Sequence, residues 1–167
     1  MEAGIFSTDH VDPGSALLAE HLPANLKGGA ADPGAGWGFL SHALMQKNPD
    51  LKALHLFEAD ARALACARRN LAGFSLQPEF HWHDVAAGLP GKYEIIVMNP
   101  PFHRSRAAEP EIGQEMIRAA ARALQPGGRL FMVANRQLPY EAVLKAGFAA
   151  SGEIARDATY KVLWARR

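Results

Sequence analysis

The apolar run Ile95-Ile96-Val97-Met98, stopped by Asn99-Pro100-Pro101-Phe102, constrains this chain more than any other stretch. A short run of large apolar residues bounded by turn formers suits a strand buried on both faces, as at the centre of a parallel sheet. Two consecutive prolines end such a strand abruptly, because neither can donate to a ladder and both fix φ. The corner that follows holds an amide side chain, a proline-flanked carbonyl and an aromatic face in a fixed relation. Those groups suit one task, which is to accept hydrogen bonds from a planar amino group while stacking on its ring.

The rest of the chain supplies a sheet around this strand. Asp12-Pro13-Gly14-Ser15 precedes a helix over Ala16 to Leu22, with Ser15 as the expected cap and Pro23 as the stop. Leu26 to Asp32 reads as a small-residue strand, followed by Pro33-Gly34-Ala35-Gly36-Trp37-Gly38 and a helix over Phe39 to Gln46. A glycine-rich turn between strand and helix lets backbone approach a ligand closely. Asp32 at the strand tip would repel a pyrophosphate but hold a cationic amino-acid moiety, so S-adenosylmethionine fits better than NAD.

Leu51 to Glu58 is the second strand, and Asp60 starts a helix reaching about Leu71. Glu58 falls 26 residues after Asp32 (58 − 32), near the offset of about 20 at which dinucleotide folds place a ribose-binding acid. Phe80 to Val85 reads as an alternating strand ending at an acid, and Tyr93 to Met98 is the central strand. Glu109 to Leu124 is helical, with Ile112, Met116, Ile117 and Ala120 on one face, and Gln125-Pro126-Gly127-Gly128 ends it before a strand over Arg129 to Ala134. A short helix to Lys145 follows, then an antiparallel pair from Gly147-Phe148 and Tyr160 to Ala165 around the turn Arg156 to Thr159. Alternating strands and helices predict an α/β domain with its ligand at the carboxyl ends of the strands.

Asn-Pro-Pro-aromatic after a buried strand resembles motif IV of the S-adenosylmethionine-dependent methyltransferases that modify exocyclic or amide nitrogens. The extended Asn99-Pro100-Pro101-Phe102-His103 is most similar to the bacterial ribosomal RNA guanine-N2 methyltransferases of the small-subunit type. Gly4-Ile5-Phe6-Ser7, Asp12-Pro13-Gly14-Ser15, Pro126-Gly127-Gly128 and Asn135-Arg136-Gln137-Leu138-Pro139-Tyr140 carry the same resemblance along the chain. It implies a Rossmann-like, seven-stranded sheet, mostly parallel with a C-terminal antiparallel hairpin and helices on both faces. It also implies that S-adenosyl-L-methionine is held by Asp32, Gly34, Ala35, Gly36, Glu58, Ala59, Asp84, Val85 and Asn99. In that pattern Asp84 accepts from the adenine amino group and the Val85 N–H meets the ring.

Asn99, Pro100, Pro101 and Phe102 would be the catalytic corner. Asn99 Oδ1 and the Pro100 carbonyl accept the two N–H bonds of the target amine, and Phe102 stacks on the base. Pro33 and Ala35 stand where the pattern usually has Leu and Cys, and neither removes an essential side chain. Adenine-N6 and protein-glutamine methyltransferases usually carry Tyr where Phe102 stands, which disfavours both as alternatives. A degenerate, non-catalytic cofactor-binding module is disfavoured because Asp32, Glu58, Asp84 and Asn99 are all present.

The 167 residues make one domain, read as a covering segment over 1–23 and a catalytic domain over 24–167. Hydrophobic content of 49% with 21% charged residues is that of a soluble globular protein, and no stretch suits a membrane span or a signal peptide. A lone Cys66 excludes an internal disulfide and fits a cytoplasmic location. Net charge of +1 gives no general affinity for nucleic acid. A ribosomal RNA or small-subunit substrate would then need a local patch or a missing N-terminal RNA-binding domain, since the chain begins almost at the family's linker, as either an excised catalytic domain or a naturally short relative. His103 and Arg136 are each either phosphate or base contacts or simple loop residues. His81 and His83 share one face of their strand, but no third ligand is evident, so no metal is expected.

Overall fold

The computed structural model describes residues 11–100 and 109–167. Seven strands form one sheet in the order β3-β2-β1-β4-β5-β7-β6. They are β1 (Gly28–Pro33), β2 (Leu51–Glu58), β3 (Glu79–Trp82), β4 (Tyr93–Met98), β5 (Leu124–Asn135), β6 (Ala150–Arg156) and β7 (Tyr160–Arg166). The pairs from β3 across to β5 are parallel, and β7 is antiparallel to both β5 and β6. The helices are α1 (Pro13–His21), α2 (Phe39–Lys47), α3 (Ala61–Asn70), α4 (Glu109–Ala123) and α5 (Glu141–Gly147).

The run expected to be the buried centre is β4. Ile96 and Met98 enter a core layer with Met116, Ile117 and Ala120 of α4, while Ile95 and Val97 enter the opposite layer with Leu18, Leu44 and Leu71. Burial on both faces explains why the strand is continuously apolar instead of alternating. The sheet grows outward in both directions from the neighbouring strands β1 and β4, and such a switch point is where open α/β sheets hold their ligands.

Four local expectations are corrected. Asp12, not Ser15, caps α1: its Oδ2 accepts from the Ser15 N–H at 2.8 Å, Pro13 occupies the first turn, and Ser15 lies inside the helix. β3 ends at Trp82 instead of reaching Val85, because the Asp84 side chain accepts from the Ala86 N–H at 2.9 Å and caps a 3-10 turn over Val85–Ala87. The Pro-Gly-Gly segment does not separate α4 from β5 but lies inside β5 as a bulge. Leu124 pairs with Tyr93 and Arg129 with Ile95, and the residues between loop out around Gly127 at φ +80°. β6 begins at Ala150, after Gly147-Phe148, because α5 continues through Gly147 and the Phe148 N–H still bonds back to Leu144.

Candidate functional site

The carboxyl ends of four neighbouring parallel strands carry Asp84, Glu58, Asp32 and Asn99 in sheet order. The loop after β1 is tied to β2, since the N–H groups of Gly34 and Ala35 both donate to the Phe57 carbonyl, at 2.8 and 3.0 Å. Gly36 has φ +57°, which disfavours any side chain, and a Cβ built on it meets nothing within 4 Å. The loop therefore presents bare backbone to open space. Gly38, at φ +93°, is needed for packing as well: its Cβ would lie 3.3 Å from Ala67 and Leu71, where α2 starts against α3.

Asp32 is 1% exposed and accepts from Ser41 Oγ at 2.7 Å, and no cation pairs with it among the described residues. Burial pushes its carboxyl up to about 7, helped by the nearby Glu58 charge and opposed by the Ser41 hydrogen bond. A buried acid in this condition favours any cationic group that reaches it. Glu58 accepts from the Gly36 N–H through Oε1 and from the Asp60 N–H through Oε2, each at 2.8 Å. Each of its oxygens keeps a second acceptor site, suited to a pair of hydroxyls. The His83 N–H donates to the Glu58 carbonyl at 3.0 Å, which brings the end of β3 beside it. Asp84 is exposed, Val85 half-buried and Ala59 exposed.

Asn99 is the most constrained residue of the row. Its Nδ2 donates to Asp12 Oδ2 at 2.9 Å and to Ser15 Oγ at 2.8 Å. A carboxylate only accepts, so the amide nitrogen has to face Asp12, and the amide orientation follows from chemistry. Both N–H bonds are used, and no described residue donates to Oδ1. Pro100 is buried directly behind it. Gly14 makes room for this cluster, as a Cβ there would sit 3.1 Å from Asp12 Oδ2 and from the Tyr160 ring. Pro101, Phe102 and His103 lie outside the described residues.

Three participants were not evident in the sequence. Asp12 and Ser15 act as holders of Asn99, whereas the sequence marked their segment only as the lead-in to a helix. Trp82, 74% exposed, donates from its indole to the Ala59 carbonyl at 2.8 Å, and only the structure joins these two. Beyond β5, a groove of about 490 Å³ is lined by Asn135, Arg136, Gln137, Arg156, Ala158 and Thr159. Arg136 donates to the Asp157 carbonyl at its rim, at 3.2 Å.

Known proteins share both sequence and fold with this chain. Ribosomal RNA small subunit methyltransferase C of Salmonella paratyphi B and of Salmonella typhi are each 37% identical over 159 residues, 95% of this chain and 46% of theirs. The chain thus spans about half the length of the curated relatives it matches. A 16S rRNA N2 methyltransferase of T. thermophilus, solved with AdoMet and guanosine, superposes with a TM-score of 0.84 at 34% identity, over 98% of this chain and 45% of that one. TrmN from Thermus thermophilus, at 18% identity over 91% of this chain and 47% of its own, shares the fold with a TM-score of 0.67. The family model described as methyltransferase small domain matches residues 1–164, and the chain belongs to that family.

Proposed function

We propose that this chain is the catalytic domain of an S-adenosylmethionine-dependent methyltransferase acting on the exocyclic N2 of a guanine in ribosomal RNA. The observation that carries the reading is the Asn99 amide, whose nitrogen is committed to Asp12 and Ser15 so that Oδ1 is left as an acceptor beside Pro100. The names of the relatives, and the AdoMet and guanosine of the T. thermophilus structure, support the same substrate class.

The residues present fit the cofactor. Asp32 is a buried acid with no cation paired to it among the described residues, the loop over Gly34, Ala35 and Gly36 presents side-chain-free backbone to open space at Gly36, and Glu58 has acceptor sites left for ribose hydroxyls. We assign Asp84 and Val85 to the adenine ring, with Ala59 also in the cofactor site. Bound S-adenosylmethionine supplies an activated methyl group on a sulfonium, so the chain's own task is placement. Asn99 Oδ1 and the Pro100 carbonyl accept the two N–H bonds of the amine, which draws its lone pair out of conjugation with the ring. These dipoles are fixed in advance, and no general base is required. We assign Phe102 to stacking on the base, a contact worth about 1–3 kcal/mol in comparable sites. A paired guanine would have to leave its helix to reach this corner.

The arginine-lined groove next to β5 suits RNA phosphate. We read residues 1–23 as the covering segment and 24–167 as the catalytic domain of a cytoplasmic protein, with RNA binding shared by a further N-terminal domain. The test is calorimetric titration with S-adenosylmethionine and NAD, then transfer to unmethylated small ribosomal subunits with mass spectrometry of the nucleosides. S-adenosylmethionine alone should bind, and N2-methylguanosine should form. Asn99→Ala should lose transfer by about 100-fold or more while its cofactor affinity stays within about threefold. Methyl appearing on adenine N6, or full activity of Asn99→Ala, would overturn the assignment.

A further inference from the structure

At the outer edge of the sheet, β2 and its edge neighbour β3 bring together three groups that the proposed methyl transfer does not use. The register pairs His55 with Glu79 and Phe57 with His81, so these side chains project from one face. His55 Nδ1, His81 Nε2 and Glu79 Oε2 form a triangle with sides of 3.0, 3.2 and 3.8 Å. Two ligand atoms on a tetrahedral ion with bonds of ~2.0–2.1 Å lie ~3.3–3.4 Å apart, which those sides bracket. One ion above the triangle would lie within bonding distance of all three atoms, and the two imidazoles, now head to head with centroids 5.3 Å apart and planes within 13°, would turn toward it to bind. A single shared proton explains only one side of it. His83, two positions beyond His81, bonds through Nε2 to the Gly88 carbonyl at 2.7 Å and takes no part in the triangle.

Both rings pack on aromatic neighbours. His81 stacks on Phe57 with centroids 4.6 Å apart and planes within 13°, and His55 lies 5.5 Å from the Tyr93 ring. The side chains of His55, His81 and Glu79 are 24%, 37% and 68% exposed, so an ion and its water can enter. Two imidazoles and one carboxylate, with a fourth position open to solvent, suit zinc and its neighbours over magnesium or calcium, which demand oxygen.

We propose that His55, Glu79 and His81 form a zinc-class divalent cation site that fastens the edge strand β3 to β2. β3 has only four residues, and it leads directly to Asp84 and Val85. An ion that binds only the folded arrangement stabilises that edge by mass action.

The full chain, stripped with chelator and titrated with zinc chloride, should take up one equivalent. Cobalt(II) in its place should give the visible absorption of a four- or five-coordinate ion. His81→Ala should abolish both signals. Glu79→Gln changes an exposed carboxylate that the fold does not need, and it should weaken zinc binding about tenfold or more. His42→Ala, at a histidine packed on Phe74, should bind zinc like the parent. Affinity for S-adenosylmethionine reports that each variant is folded, and zinc binding is read independently of methyl transfer. Absence of uptake by the parent, or equal uptake by Glu79→Gln and His81→Ala, would overturn the site.

Discussion

The Asn99 amide shows how much of this site depends on a side chain that touches no ligand. Asp12 fixes which end of the amide faces outward, and it also caps α1. Asp12→Ala should therefore reduce kcat by about tenfold or more with little change in the KM for cofactor, and cost about 1 kcal/mol through the lost cap. Asp12→Asn, whose side-chain oxygen can still accept, should recover part of both, which a merely structural role would not link. Asp32 makes a prediction in pH. Its folded pKa of about 7 lies above the ordinary carboxylate value of 3.8, so the folded chain binds this proton more tightly than the unfolded chain does. The stability attached to it is present below about pH 4 and is lost as pH rises toward 7, at ~1.4 kcal/mol for each pH unit in between. Thermal melts of the empty protein should fall across that window, and Asp32→Asn should flatten the dependence. A cation binding to Asp32 near pH 7 should release protons, visible as a buffer-dependent calorimetric enthalpy.

Among the elements, α4 and α5 meet at one close approach. Gly113 of α4 faces the hydroxyl end of the buried Tyr140, and a Cβ at that position would overlap the phenol oxygen at 1.8 Å and its ring carbon at 2.3 Å. Tyr140 cannot swing into solvent, so Gly113→Ala should destabilise the domain by about 1–3 kcal/mol, read from denaturant unfolding. Intrinsic propensity alone predicts the opposite sign, since alanine is the better helix former. The same element shows where sequence periodicity stops. Ile112, Met116, Ile117 and Ala120 gave the buried face of α4 correctly, whereas the glycine between them is explained only by Tyr140, the residue that caps the start of α5. Lys161 of β7 is a comparable case. It is 3% exposed and donates to the carbonyls of Arg136 and Leu138 and to Glu141, fixing the loop after β5, and nothing in its own strand marks it as buried.

At the scale of the molecule, a net charge of +1 limits what this chain can do alone. Few phosphates can be neutralised, so binding to naked 16S RNA should be weak and shallow in salt, with a log–log slope no steeper than about −2. A steep slope in filter binding would place the whole RNA-binding function in this domain. The alternation of strands and helices, the parallel centre and the placing of Asp32, Glu58, Asp84 and Asn99 near strand ends were legible from residue order, while the first strand of the closing hairpin, expected at Gly147-Phe148, lies at Ala150–Arg156. Those features are local: burial on both faces demands unbroken apolar runs, and tight turns at strand ends demand glycine, proline and acids within a few residues. Three features came to light in three dimensions alone: Asp12 holds Asn99 across 87 positions of chain, His55 meets His81, and Pro126-Gly127-Gly128 is a bulge within β5. Each of these depends on strand order and register, which bring distant residues within hydrogen-bond reach and leave no periodic trace in the sequence around either partner.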